Sequence, residues 1–299
     1  MRRHSPIFLI FIHMSTSSLL LVITAAVLHA LWNLLTKQVR GGLIFFWLVS
    51  LFSAVIFLPF LMYELFRLPL QLNQQTLTMA LGSGLLHVFY FVALQAGYRK
   101  GDLSVVYPVA RGAGPLFAVT GAVLLFGERL GIWGITGFLL IIAGVCFLAG
   151  FHVNKEGKSV RTGVYFGLLT GLFIAAYTLW DKAAVAEYGV SAIVIAFASM
   201  VLPLLLLIPV VMDKMQVIRT EIKLHWKQVL GVAVLQPLSY LLVLIAMKTT
   251  PVSYVAPVRE LSIVFGVFFG VNLLKEKDSM KRLIAAVVIL AGIVLLARG

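Results

Sequence analysis

The sequence predicts an all-α polytopic membrane protein with ten transmembrane helices in two inverted five-helix repeats. Three observations predict it. Of 299 residues, 61% are apolar and only 12% charged, against about 45–50% and about 25% in a soluble domain. Apolar runs of roughly 20 residues, enough to cross about 30 Å of hydrocarbon, recur along the whole chain. A segment of the second half also repeats a segment of the first.

The same figures exclude other classes. The runs are continuously apolar and do not alternate with period two, which excludes a β-barrel. The hydrophobicity excludes a disordered chain. The 24 Lys and Arg against 11 Asp and Glu leave a net charge of +13, but few of these charges lie on a face that water could reach, so no nucleic-acid partner is expected. The one cysteine, Cys146, lies in an apolar run, which rules out disulfides and CxxC sites.

In chain order, the predicted spans are 17–36, 42–63, 77–98, 103–126, 131–151, 162–182, 190–212, 227–247, 252–274 and 281–298. The first repeat occupies 14–151, a loop 152–161, and the second repeat 162–299. Asp213 to Lys227 is predicted to be a loop or an amphipathic turn on the membrane surface. Residues 1–13 read as an N-terminal extension, because Pro6 to Ile12 is too short for a span and lacks a cleavage site of small residues. Met14, followed by a polar Ser-Thr-Ser-Ser and a full span, is the expected start.

Orientation follows from the basic residues of the loops. Loops after odd-numbered spans hold fifteen Lys and Arg, those after even spans plus the C-terminus five. The richer face is therefore expected to be cytoplasmic, with both termini outside. Arg2 and Arg3 oppose this unless the chain starts at Met14.

A shift of 148 residues superposes Arg111–Ala149 on Arg259–Ala297 with eleven of 39 positions identical, among them Arg111/Arg259 and Glu128/Glu276. It also places Leu31-Trp32-Asn33 on Leu179-Trp180-Asp181. Five spans per repeat is an odd number, so the second repeat must insert upside down relative to the first. Such inverted repeats let a transporter open alternately to either side.

These residues carry a family resemblance. The first helix has "HALWNLLTK". Spans three and four carry "ALQAGYRKGDLSVVYPVARGAGPLF…FGERL", echoed by "TPVSYVAPVRELSIVF…LLKEK" in spans eight and nine. Together they resemble the EamA family of the drug/metabolite transporter superfamily over essentially the whole chain from Met14. HALWN with YPVARG is similar to the subgroup associated with phosphonate utilisation. The resemblance implies a ten-helix basket and the export or exchange of small metabolites across the cell (plasma or inner) membrane. Two positions depart from the internal pattern: Arg259-Glu260 replaces Arg111-Gly112, and Lys275-Glu276 replaces Gly127-Glu128.

Ionisable residues within spans are costly and mark candidate sites. Arg111 and Arg259 lie about eight and seven residues into spans four and nine, roughly 11–12 Å deep at 1.5 Å per residue. Because the repeats are inverted, both are expected to reach the central third of the membrane, where guanidinium groups suit a carboxylate, phosphate or phosphonate. The competing reading is an ion pair between Arg111 and Glu260. Pro108, Pro257, Gly112, Gly114 and Pro115 are expected to weaken the helix around these sites. Ala118/Ala122, Gly266/Gly270 and the Gly163-Gly167-Gly171 series are expected to be packing positions.

Span one carries His29 and Asn33 four residues apart, and span six carries Tyr177 and Asp181 at the equivalent positions. These, with Tyr107, His87, Tyr90, Gln236 and Tyr240, complete the substrate-binding candidates. Glu260 and Asp181 are the proton-coupling candidates, since a cavity-facing acid can load and release a proton; for Asp181 the alternative is a solvated loop start beside Lys182. Trp32 and Trp180 read as interface anchors or cavity walls, and Glu128 and Glu276 as turn residues.

No enzymatic motif is present. Gly157-Lys158-Ser159 resembles a phosphate loop, but His152 stands where the first glycine is required. HExxH and GxSxG are absent, and no catalytic residue, cofactor or metal is expected. The reading is a secondary transporter for a small anionic or zwitterionic metabolite, coupled to protons or to exchange, working in the lipid bilayer as a monomer or homodimer. A flippase for a lipid-linked substrate, or a non-transporting scaffold or sensor subunit, are the alternatives.

Overall fold

The computed structural model describes residues 14–39, 42–67, 73–101, 103–149, 158–274 and 279–296. Every regular element among them is helical: α1 (Thr16–Val39), α2 (Leu43–Arg67), α3 (Gln74–Lys100), α4 (Leu103–Phe126), α5 (Ile132–Ala149), α6 (Lys158–Lys182), α7 (Ala192–Val211), α8 (Met215–Met247), α9 (Val252–Val258), α10 (Leu261–Leu274) and α11 (Ser279–Leu296). In hydrocarbon the backbone must satisfy its own hydrogen bonds, which a helix does within one segment. Six stretches are long and apolar enough to cross a membrane; one of them, Ala192–Met247, contains both α7 and α8, while Ile132–Phe147 and Ile284–Leu296 are apolar but shorter. Residues 1–13, Lys275 and Glu276 lie outside the described residues.

Side chains are apolar inside and out. Small and branched residues such as Val22, Ala26, Ala122, Ile141, Ile195 and Ala246 are buried, while Leu20, Phe60, Phe66 and Leu124 stand exposed. A helix apolar all round suits lipid on one side and a packed core on the other.

The packing repeats itself. α1 packs on α8 as α6 packs on α3; α4 on α6 as α10 on α1; α2 on α8 as α7 on α3; and α4 on α5 as α10 on α11. The pairs α2/α7 and α5/α11 match themselves when the halves are exchanged. Glycines set two of the close approaches. A Cβ on Gly171 would stand 2.7 Å from that of Ala113, between α6 and α4, and one on Gly137 would stand 2.4 Å from the Gly292 carbonyl, between α5 and α11.

Several local expectations change. α6 starts at Lys158, inside the predicted loop, and runs on through a π-helical turn at Ala183–Glu187. The predicted surface turn before span eight is helical from Met215 and bends at His225, whose φ of −128° and ψ of 19° leave the helical range. α4 is continuous past Arg111, Gly112, Gly114 and Pro115, so the expected weakening there does not interrupt it. Span nine breaks instead. Pro257 has no N–H to give; Arg259 N–H still reaches the Val255 carbonyl four residues back at 3.1 Å, but then the bonds shorten to three residues: Glu260 N–H donates to the Pro257 carbonyl at 3.0 Å, Ser262 to Arg259 at 3.0 Å and Ile263 to Glu260 at 2.9 Å. Gly266, expected at a packing face, has nothing within 4 Å of where a Cβ would stand.

Candidate functional site

A cavity of about 370 Å³ lies between α1, α3, α4, α6 and the break separating α9 from α10. Its inner end is formed by His29, Arg111, Ala118, Tyr177, Thr178, Arg259 and Glu260. Thr36, Phe46, Tyr98 and Tyr107, near the ends of α1 and α3 and the starts of α2 and α4, line it toward the other end. It therefore runs from the middle of the bundle toward the face holding the α1–α2 and α3–α4 connections.

Of the sequence-predicted residues, Arg111, Arg259, Glu260, Tyr107, Tyr90, His29, Asn33 and Tyr177 line this cavity. Arg111 comes from the continuous α4, and Arg259 and Glu260 from the broken turn of the other half. The Arg111 Nη2 donates to Ser262 Oγ at 2.8 Å and meets Glu260 Oε2 at 3.2 Å. Arg111 Nε and Glu260 Oε2 are nonetheless buried without a hydrogen-bond partner, so the ion pair is present but incompletely satisfied, an uncommon condition for buried charge. The His29 ring lies edge-on to Trp32 at 4.7 Å. Asn33 Nδ2 donates back to the His29 carbonyl at 2.9 Å, inside its own helix.

His87, Tyr240 and Asp181 form a second group, one ring behind the cavity wall. Tyr177 lines the cavity and stacks on His87 with centroids 4.2 Å apart. His87 lies 5.2 Å from the Tyr240 ring, and the Tyr240 hydroxyl donates to Asp181 Oδ2. Asp181 is completely buried, and the equally buried Ser83 hydroxyl stands beside its carboxylate. The solvated-start reading of Asp181 is thus corrected: the chain stays helical past it and α8 covers it. Gln236 is half-buried on α8 and belongs to neither group.

The opposite face is tied shut by groups at helix ends. The Glu128 carboxylate, just after α4, accepts the backbone N–H of Val252 and of Ser253, each at 2.8 Å. Lys182, closing α6, donates to the carbonyls of Met247 at 2.7 Å and Thr250 at 3.1 Å. Ser191 donates to Glu64 at 2.7 Å, and Trp180 Nε1 to the Met79 carbonyl at 2.9 Å. Trp180 is therefore an interhelical strut, whereas Trp32 is a cavity wall.

Sequence reasoning did not single out Tyr98, Phe46, Phe91, Thr170, Thr178 or Ser262. A signal existed for some. Phe91, Gln95 and Tyr98 recur at helical spacing, as do Thr170, Ile174, Tyr177 and Thr178, marking one face of α3 and one of α6.

Comparison with known proteins agrees with this architecture. A family model, the EamA-like transporter family, matches residues 16–150 and again 161–298. A protein named only as an uncharacterized transporter, from Archaeoglobus fulgidus, is 25% identical over 247 residues, covering 83% of this chain and 84% of its own. A protein of known crystal structure superposes with a TM-score of 0.71 at 19% identity, over 95% of this chain and 98% of that one; at that identity the likeness speaks for the fold. Two matched copies that together take in nearly the whole chain leave one conclusion: this is a membrane protein of the EamA-like transporter family, within the drug/metabolite transporter superfamily.

Proposed function

We propose that the chain crosses the cell membrane ten times, as two inverted five-helix repeats, and moves a small anionic metabolite by alternating access, as a secondary transporter. One observation carries this reading: Arg111 and Arg259, at matching positions of the two repeats, line one cavity in the middle of the bundle. Buried cations in a membrane protein mark a site for their counter-ion, and guanidinium groups favour carboxylate or phosphate-like oxygens.

The roles divide. Arg259 binds the anion, and Arg111, held by Glu260 and Ser262, links the two halves across the site. A ligand oxygen that competes with Glu260 for Arg111 loosens that link, which couples occupancy to the angle between α4 and the α9–α10 turn. Asp181 is the proton-coupling group, joined to the cavity through Tyr240, His87 and Tyr177, and Glu260 is the second candidate. The cavity runs toward the face with fifteen basic loop residues against five, so the conformation described is the one open to the cytoplasm.

Flux into liposomes tests the proposal. Purified protein should accelerate movement of at least one small organic anion over protein-free vesicles, Arg111→Ala and Arg259→Ala should each abolish it, and an imposed pH gradient should change it. Unaltered flux of every tested anion in both arginine variants overturns the anion site.

A further inference from the structure

Resting on the anion-transport reading above, we infer that the cavity selects a singly charged anion with a flat body, an aromatic monocarboxylate, over dianions, hydroxyl-rich solutes and short aliphatic acids.

Charge is the first ground. With imidazole uncharged, the wall carries two guanidinium groups and one carboxylate, Arg111, Arg259 and Glu260, a surplus of one positive charge. Glu260 stands 3.2 Å from Arg111 and also interacts with the charge of Arg259, so one carboxylate serves both guanidinium groups. One negative charge brings the inner end of the cavity to neutrality. A phosphonate dianion leaves it negative and a zwitterion leaves it positive, and an uncompensated charge away from water is costly.

The second ground is what the rest of the wall offers. Seven of the 23 lining residues are Phe, Trp or Tyr, against 12% in the whole chain. They come from several sides: Trp32 on α1, Tyr90 and Tyr98 on α3, Tyr107 on α4, Tyr177 on α6. Tyr90 and Tyr177 meet edge to face, 5.8 Å apart at 75°. Rings on several sides, this pair at a steep angle, present both faces and edges to a planar guest.

The third ground is which donors are already spent. Thr36, Thr170 and Thr178 donate to the carbonyls of Trp32, Phe166 and Ile174 in their own helices, at 2.9, 2.7 and 2.7 Å. Asn33 does the same. Donors still without a partner, Arg111 Nε and Trp32 Nε1, belong to lining residues; they call for an acceptor, which a carboxylate oxygen supplies without bringing protons of its own to place.

Equilibrium binding to the purified full chain, in detergent at one alkaline pH, tests this apart from transport. The ligands are phenylacetate, acetate, phenylphosphonate as its dianion, phenylalanine as its zwitterion, and phenylethanol. Phenylacetate should bind at least about tenfold more tightly than each of the others, a difference of about 1.4 kcal/mol. Arg259→Gln should remove its binding. Glu260→Gln, which raises the wall surplus from one charge to two, should move the preference toward phenylphosphonate. Trp32→Leu with Tyr90→Leu should erase the advantage over acetate. Acetate, phenylalanine or the dianion binding wild-type protein as tightly as phenylacetate overturns the inference and leaves the anion transporter standing. If no anion binds and none moves in liposomes, both fall. The wild-type panel decides the matter even if a variant fails to fold.

Discussion

Glu128 and Val252 join the two repeats: the carboxylate after α4 accepts the first N–H of α9 at 2.8 Å and takes the next, from Ser253, at the same distance. The first N–H groups of a helix have no partner within it, and a carboxylate placed there satisfies them and complements the helix dipole. The contact lies on the face away from the cavity mouth, so it holds that face closed. Glu128→Ala should lower stability by about 1 kcal/mol, the scale of a lost N-cap, and should increase labelling of a cysteine introduced at Ser253. Thermal unfolding and thiol labelling of the detergent-purified protein check both; unchanged labelling would refute the closing role.

The Arg111–Glu260 pair gives a second prediction. Removing one partner of a buried pair leaves the other charge uncompensated, at about 3–5 kcal/mol. Arg111→Met and Glu260→Met should each destabilise strongly, while the double variant should recover much of the loss, because neither charge is then stranded. Thermal unfolding of the three variants tests this, and a double variant as unstable as the sum of the singles would show that the two residues act independently.

Coupling makes a third. Asp181→Asn removes the acid that accepts the Tyr240 hydroxyl while keeping its shape. Transport driven by a pH gradient should fall at least about tenfold, with exchange between two pools of the same substrate retained, since exchange needs no net proton movement. Tyr240→Phe should weaken the pH response less. Loss of exchange together with gradient-driven flux in Asp181→Asn would assign the residue to folding or binding.

Glycine positions give a fourth. Gly137→Ala places a methyl 2.4 Å from the Gly292 carbonyl oxygen, whereas Gly266→Ala meets nothing within 4 Å. The first should destabilise by about 1–3 kcal/mol, the range of an overpacked core. The second should be neutral or stabilising, since alanine is the better helix former by about 0.5–1 kcal/mol. Melting temperatures of the two variants check the contrast.

What the sequence determined by itself is the membrane class, the helical content, the repeat and the family, because each depends on composition or order along the chain. Continuous apolar runs permit little but helices, and Arg111/Arg259 and Glu128/Glu276 stand out as charges recurring in an apolar background. It also brought into view the three charged residues of the cavity wall and four of its seven aromatic ones, Trp32, Tyr90, Tyr107 and Tyr177. The tertiary structure decided partnership. It put Glu260 on Arg111, sealed Asp181 behind Tyr240, set Tyr98 and Phe91 in the wall, and broke span nine at Arg259-Glu260 while leaving α4 whole. Those outcomes depend on which helix faces lie together, and an apolar helix, equally ready to meet lipid or protein on every side, carries little record in its own sequence of which face will be turned inward.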